Sequence, residues 1–197
     1  LLRRVQLNIR SVFPHSELIL DACCVINLYS SGYMGSILES LGVSVYIAEY
    51  VYNEELASLT SESNFRELNH EEQYNLDLMM QKGLFALASP SSEPEQNLFV
   101  NLASMIDDGE AATAALAVNR RWSLGTDDRG AIGHFTRNGF TFEIVSTLEI
   151  VKFWADTNAL ELDMVKTALA NVRTRGRYKP KSSHPLYRWW SKYMEEG

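Results

Sequence analysis

Short apolar runs alternate with amphipathic stretches along most of this chain. Leu18-Ile19-Leu20 is a compact apolar run ending at Asp21, and Val25, Ile26 and Leu28 then recur at helical spacing as far as Gly32. Val43 to Ile47 is a second, β-branched run, and a helix is expected after it from about Tyr50 to Leu59. Leu68 to Lys82 is polar, with Leu76, Met79 and Met80 at helical spacing and Gly83 as its stop. Leu84 to Ala88 predicts a third strand, Ser89 to Pro94 a loop, and Glu95 to Ile106 a helix. Asp107-Asp108-Gly109 interrupts the pattern before an Ala-rich helix from Glu110 to Asn119. Trp122 to Thr126 reads as a fourth strand closed by Asp127-Asp128. Ala131 to Thr136 reads as a short helix and Phe140 to Val145 as a fifth strand. Two further helices follow, at about Thr147 to Thr157 and Leu160 to Val172.

Strands alternating with helices predict an α/β protein: a parallel sheet of about five strands with helices on both faces. In such sheets ligands bind beyond the carboxyl ends of the strands, and this chain places acids there. Asp21 follows the first strand, Glu54 and Glu55 lie after the second, Asp107, Asp108 and Glu110 surround a helix start, and Asp127 and Asp128 follow the fourth strand. Carboxylates brought together repel one another, and a hard divalent cation such as Mg²⁺ or Mn²⁺, which prefers oxygen ligands and keeps several waters, relieves that repulsion. Such a cation can activate water and neutralise charge on a phosphoryl group. Each acid also has a plain structural reading: Asp107, Asp108 or Asp128 as a helix cap, Glu54 and Glu55 as a solvated helix face.

At these residues the chain resembles the PIN domain nucleases. Asp21-Ala-Cys-Cys-Val-Ile-Asn-Leu is similar to that family's opening motif, Glu110-Ala-Ala-Thr-Ala-Ala-Leu-Ala to its central helix, and Thr126-Asp127-Asp128-Arg129 to its strand-end Thr-x-Asp. Val51-Tyr52-Asn53-Glu54 resembles the remaining acidic motif, with Glu55 in that place if the register slips by one. Glu110 and Asp128 stand 18 positions apart (128 − 110), which suits one helix, a short turn and one strand. Two departures stand out. Cys23 occupies a position where many members carry Ser or Thr, and Glu110 stands where Asp is more frequent. The resemblance covers roughly residues 17–155. It implies a three-layer α/β/α fold, a PIN-like domain over residues 1–158, and a helical, basic and aromatic extension over residues 159–197. It further implies Asp21, Glu54, Glu110 and Asp128 as catalytic residues and metal ligands, Mg²⁺ or Mn²⁺ as cofactor, and RNA as substrate, cut by a metal-activated water. A homodimer and an antitoxin or other protein partner follow from the same resemblance, whereas a cytoplasmic setting is expected from the two adjacent cysteines, Cys23 and Cys24.

Charge changes the picture at one end. The net charge of −7 divides into 10 Lys and Arg against 23 Asp and Glu over residues 1–165, and 8 against 2 over residues 166–197. The body repels nucleic acid at long range, whereas the tail can attract it or an acidic partner equally well. Within the tail, Arg173, Arg175, Arg177, Lys179 and Lys181 precede Tyr187, Arg188, Trp189, Trp190 and Tyr193. Basic residues interleaved with aromatics can hold phosphates and stack on unpaired bases, although the tryptophans are expected to pack on the body. Arg129 can position a phosphate or make a surface ion pair.

Other chemistries find little support. The four histidines, His15, His70, His134 and His184, lack metal-ligand spacing; His134 is expected to be structural. Adjacent Cys23 and Cys24 predict no disulfide and a reducing compartment. No P-loop or GxGxxG occurs, no apolar run is long enough to span a membrane, and Leu1 to Arg10 lack the apolar core of a signal peptide. An Asp-x-Asp phosphatase needs a carboxylate where Cys23 stands, and a receiver domain needs a Lys that Val145-Ser146-Thr147 does not supply. The competing reading is a PIN-like subunit that binds RNA or assembles without cutting; retention of all four acids argues against it.

Overall fold

The computed structural model describes residues 13–56 and 70–194. Five strands form one all-parallel sheet in the order β3-β2-β1-β4-β5: β1 (Glu17–Leu20), β2 (Ser44–Ala48), β3 (Ala86–Ala88), β4 (Ser123–Gly125) and β5 (Ile144–Val145). Helices cover both faces in a three-layer α/β/α arrangement. Central β1 pairs Leu20 with Ile47 on one side and with Gly125 on the other. Leu18, Ile19 and Leu20 are fully buried, as a strand covered on both faces requires, which explains a continuous apolar run instead of an alternating one. The chain builds outward from β1 through β2 and β3, then returns to β1 and leaves on the opposite side through β4 and β5. The strand order therefore reverses beside β1, the place where parallel sheets open a crevice.

The helices are α1 (Ala22–Ser30), α2 (Met34–Ser40), α3 (His70–Gln81), α4 (Glu93–Ala103), α5 (Asp108–Arg120), α6 (Arg129–Arg137), α7 (Thr147–Thr157), α8 (Leu162–Thr174) and α9 (Tyr187–Met194). Small residues let α5 lie close on β1, β2 and β4: Ala111, Ala112, Ala114, Ala115 and Ala117 are all buried. Capping boxes start α4 (Ser92 and Glu95) and α7 (Ser146 and Glu149), each satisfying two otherwise orphaned N–H groups. Val165, Ala168, Leu169 and Val172 bury one face of α8, which packs against α1, and α9 packs on α8 with Trp190 buried. Arg173 lies 5.9 Å over the Trp190 ring, and Trp189 and Tyr193 are half-buried, so the terminal aromatics are packing residues here. None of the described helices is long and apolar enough to cross a membrane.

Three expectations change. Helix α2 was not apparent from the pattern, yet Met34, Ile37 and Leu38 bury one stripe of it. The fifth strand is only two residues long: Phe140 and Phe142 turn onto Phe135, 6.4 and 5.1 Å between ring centroids, in place of extending the ladder. After β2 the chain forms a π-helical turn, Val51–Leu56, and the rest of the helix expected to Leu59 lies outside the described residues.

Candidate active site

Asp21 leaves the end of β1 and is 5 % exposed. Its Oδ2 accepts hydrogen bonds from the Thr126 hydroxyl (2.8 Å) and the Cys23 thiol (3.3 Å). Thr126 Oγ1 in turn accepts from the backbone N–H of Asp128 (3.1 Å), and Cys23 Sγ from that of Asp127 (3.3 Å). Four short links thus lace the ends of β1 and β4 together, and the thiol supplies the donor that a hydroxyl would. Burial raises the Asp21 carboxyl above the usual carboxylate range, against the lowering effect of the Thr126 and Cys23 bonds.

Asp128 caps α6: its Oδ1 accepts from the Ala131 N–H at 2.9 Å. The structural reading of this residue therefore holds, and its position on the wall of the cleft holds with it. On the other side of β1, the π-helical turn buries Val51, Tyr52 and Leu56, exposes Glu54 and half-buries Glu55. The Glu55 carboxylate accepts a hydrogen bond from the backbone N–H of Gly109, in the first turn of α5. A Cβ at residue 109 would fall 1.6 Å from Glu55 Oε1, so a side chain there and the Glu55 carboxylate in this position exclude one another. Glu110 follows on the next position of α5.

Electrostatics tie these groups together. Burial and then the charges of Asp21 and Asp107 push Glu55 up to about 7. Burial and then Asp128, Asp21, Asp107 and Glu55 push Glu110 up to about 7. At the rim, the Tyr50 hydroxyl donates to Asp108 Oδ2 at 3.1 Å. All these acids open into one cleft of about 700 Å³ at the carboxyl end of the sheet. Asp21, Glu54, Glu55, Asp107, Asp108, Glu110 and Asp128 line it, and no Lys, Arg or His of the described residues does.

Asp127, adjacent to Asp128, faces the other way. Its carboxylate accepts from Asn27 Nδ2 (3.0 Å), the Thr147 N–H (3.1 Å), the Thr147 hydroxyl and the hydroxyl of Tyr178. It joins β4, α1, α7 and the segment after α8, and its lone pairs are occupied. Cys23, Cys24 and Asp127 are the group among the described residues whose ligand atoms lie within 4.8 Å of one another, a spacing that can hold a metal. Burial pushes the Cys24 thiol well up, and the thiol accepts from the Thr147 hydroxyl at 3.4 Å. These contacts make that trio a hydrogen-bonded hub. Among the described residues, no three of the cleft carboxylates come within 4.8 Å of one another.

The four acids singled out from sequence, Asp21, Glu54, Glu110 and Asp128, all line the cleft: Asp21 buried, Glu110 half-buried, Glu54 and Asp128 exposed. Sequence reasoning placed Asp107 among the acids at the strand ends, with helix capping as its plain reading, but outside the four site residues; its charge reaches both Glu55 and Glu110. Tyr178 lies in the basic, aromatic tail, and no local pattern tied it to Asp127. His134 does not line the cleft and sits 3.2 Å from Asn138 on α6. Fold and site define an α/β protein with an acid-lined cleft at the switch point of a parallel sheet. No family model, curated protein or solved structure matches the chain.

Proposed function

We propose that the chain is a divalent-cation-dependent nuclease that hydrolyses RNA phosphodiester bonds in the acid-lined cleft. One observation carries the reading: carboxylates from four separate segments meet at the sheet's switch point, and no basic side chain of the described residues lines the space between them. A folded protein keeps such a repelling set at a stability cost, and binding a cation is the function that repays it.

The donors of the cleft are carboxylate oxygens, which fit Mg²⁺ or Mn²⁺, while the one thiol that lines it, Cys23, is engaged with Asp21 Oδ2 and the Asp127 N–H. A wide setting also fits an ion that binds one or two carboxylates directly and keeps waters. Asp21, Glu55, Glu110 and Asp128 would hold it, Glu55 being favoured over the exposed Glu54 by its half-burial and its bond to Gly109. When bound, the cation supplies Lewis acidity and a water of lowered pKa. Thr126 and Cys23 fix the rotamer of Asp21, and Ala131 fixes that of Asp128. Glu55 and Glu110, both pushed up to about 7, would hold the ion in their deprotonated form.

The test is cleavage of a mixed cellular RNA pool by the purified chain with Mg²⁺, Mn²⁺ or EDTA, beside Asp21→Asn. Fragments that appear with metal and vanish with both EDTA and the variant support the reading. Intact RNA under every condition, from protein freed of co-purifying inhibitors, overturns it in favour of a non-cutting RNA-binding or assembly subunit.

A further inference from the structure

A second groove, of about 410 Å³, lies beside the acid cleft and has the opposite character. The segment 177–185 forms one wall, and Arg129 with the ends of β4 and β5 forms the other. The chain reaches this position by a sharp exit from α8. Gly176 packs so close to α1 that a Cβ would lie 2.8 Å from Asn27 Oδ1, and Arg177 takes a left-handed conformation (φ 52°), which costs a non-glycine residue about 1 kcal/mol. Two bonds then pin the segment down. The Tyr178 hydroxyl donates to Asp127, and His184 Nε2 lies 3.2 Å from Ser146 Oγ while its Nδ1 accepts from the Leu186 N–H. The second bond leaves the proton on Nε2, which donates to Ser146.

Between these pins the residues alternate. Tyr178 is half-buried and Pro180 buried, whereas Arg177, Lys179 and Lys181 are exposed. Alternate residues of an extended segment stand about 7 Å apart, comparable with consecutive phosphates along an extended nucleic-acid strand. The acids that share the groove are occupied: Glu149 by the Ser146 N–H (2.8 Å) and hydroxyl (2.7 Å), Asp127 by the donors named above. Arg129, Lys179 and Lys181 make no ion pair within 4.0 Å with a described carboxylate. Groove and cleft meet at the first turn of α6, where Asp128 lines the cleft and its neighbour Arg129 lines the groove.

We propose that Arg129, Lys179 and Lys181 form a phosphate track for a single RNA strand, which holds the nucleotides flanking the bond presented to the acid cleft. The choice of RNA rests on the nuclease reading above; the groove's affinity for a polyanion does not. An acid cleft without such a track would repel its own substrate, and the positive balance of residues 166–197 meets that need beside Asp128.

The experiment is fluorescence anisotropy of a labelled single-stranded RNA of mixed sequence, bound to the full chain in EDTA across a series of KCl concentrations. Each lost phosphate contact lowers the slope of log K against log[salt] by about 0.7. The double variant Lys179→Gln/Lys181→Gln should therefore lose about 1.4 from the slope and bind about 25-fold more weakly near 0.1 M salt. Arg188→Gln/Lys192→Gln removes the same charge from α9 and should keep the parent slope. Parent behaviour in the first double variant, or an equal loss in the second, overturns the track. So does tighter binding of an oligoglutamate peptide than of the RNA, which would assign the groove to an acidic protein. Cation-dependent cleavage with an unchanged slope refutes the track alone. A reduced slope without cleavage refutes the nuclease reading alone.

Discussion

Gly109→Ala separates folding from function at the cleft with a single methyl group. In the parent, the space over the Gly109 Cα holds the Glu55 carboxylate: an added Cβ would lie 1.6 Å from Oε1 and 2.4 Å from Cδ. Ordinary contact begins at 3.4 Å, so the carboxylate carbon must withdraw by about 1 Å and give up its bond to the Gly109 N–H. The obstructing group is the end of a flexible, half-buried side chain, so it can move toward solvent. That movement loses a charge-assisted hydrogen bond, gains up to about 1 kcal/mol of helix propensity, and relieves repulsion from Asp21 and Asp107. The net change in stability should stay within about 1 kcal/mol, a shift of about 2–4 °C in Tm for a domain of this size. Cation affinity should behave differently. Loss of one positioned carboxylate should weaken Mn²⁺ binding by about 10- to 100-fold, and cleavage should fall with it. Thermal unfolding with and without Mn²⁺, calorimetric titration and the cleavage assay read the three quantities, with Glu55→Gln as the matched control. A Gly109→Ala protein with parent Tm and parent Mn²⁺ affinity would refute the placement of Glu55 among the ligands. One that fails to fold would refute the claim that Glu55 is free to move.

Other outcomes follow from the same geometry. Asp128→Asn should abolish cleavage and leave Tm within a few degrees, because Asn caps a helix as well as Asp does and only the charge is lost; a variant that cuts at the parent rate removes Asp128 from the site. Burial and mutual repulsion raise Glu55 and Glu110 from about 4.5 to about 7, and Asp21 is raised too, so across that window the folded chain binds more protons than the unfolded one. Stability without cation should therefore fall through that window and level off above it. The gain in Tm from Mg²⁺ or Mn²⁺ should consequently be larger near pH 8 than near pH 5, and equal gains at both would contradict the electrostatic account. Asp127→Ala leaves the Asn27 and Thr147 donors without their acceptor and should cost about 2–4 kcal/mol, read as a lower urea midpoint. A midpoint equal to the parent's would mean that the hub does not hold these segments together.

Much of the architecture was legible because runs such as Leu18-Ile19-Leu20 are too short and too apolar to be anything but buried strands. The parallel order followed from their alternation with helices. The failures have local causes. Phe140 and Phe142 are as apolar as strand residues but are taken up by Phe135. Helix α2 starts from Tyr33 without a side-chain cap and carries Gly35, so neither a start signal nor an unbroken helical run marks it. Glu54 and Glu55 could not be told apart because helical periodicity assumes 3.6 residues per turn, whereas the π-helical turn at Val51–Leu56 shifts that register. Asp127 and Asp128 read alike in sequence. Successive residues leaving a strand face opposite ways, so one became the hub of the interior and the other the wall of the cleft. The Tyr178–Asp127 bond joins residues 51 positions apart, beyond the reach of any local pattern.

That bond also orders events in time. Asp127 is held by donors from α1 and α7 and by Tyr178, which is synthesised 31 residues after Thr147 (178 − 147). The strands can assemble before that segment is made. The Tyr178 constraint on the β4 end, and the lysines of the second groove, join only once residues 177–181 have followed. A chain interrupted before residue 178 would carry every cleft acid yet lack this constraint.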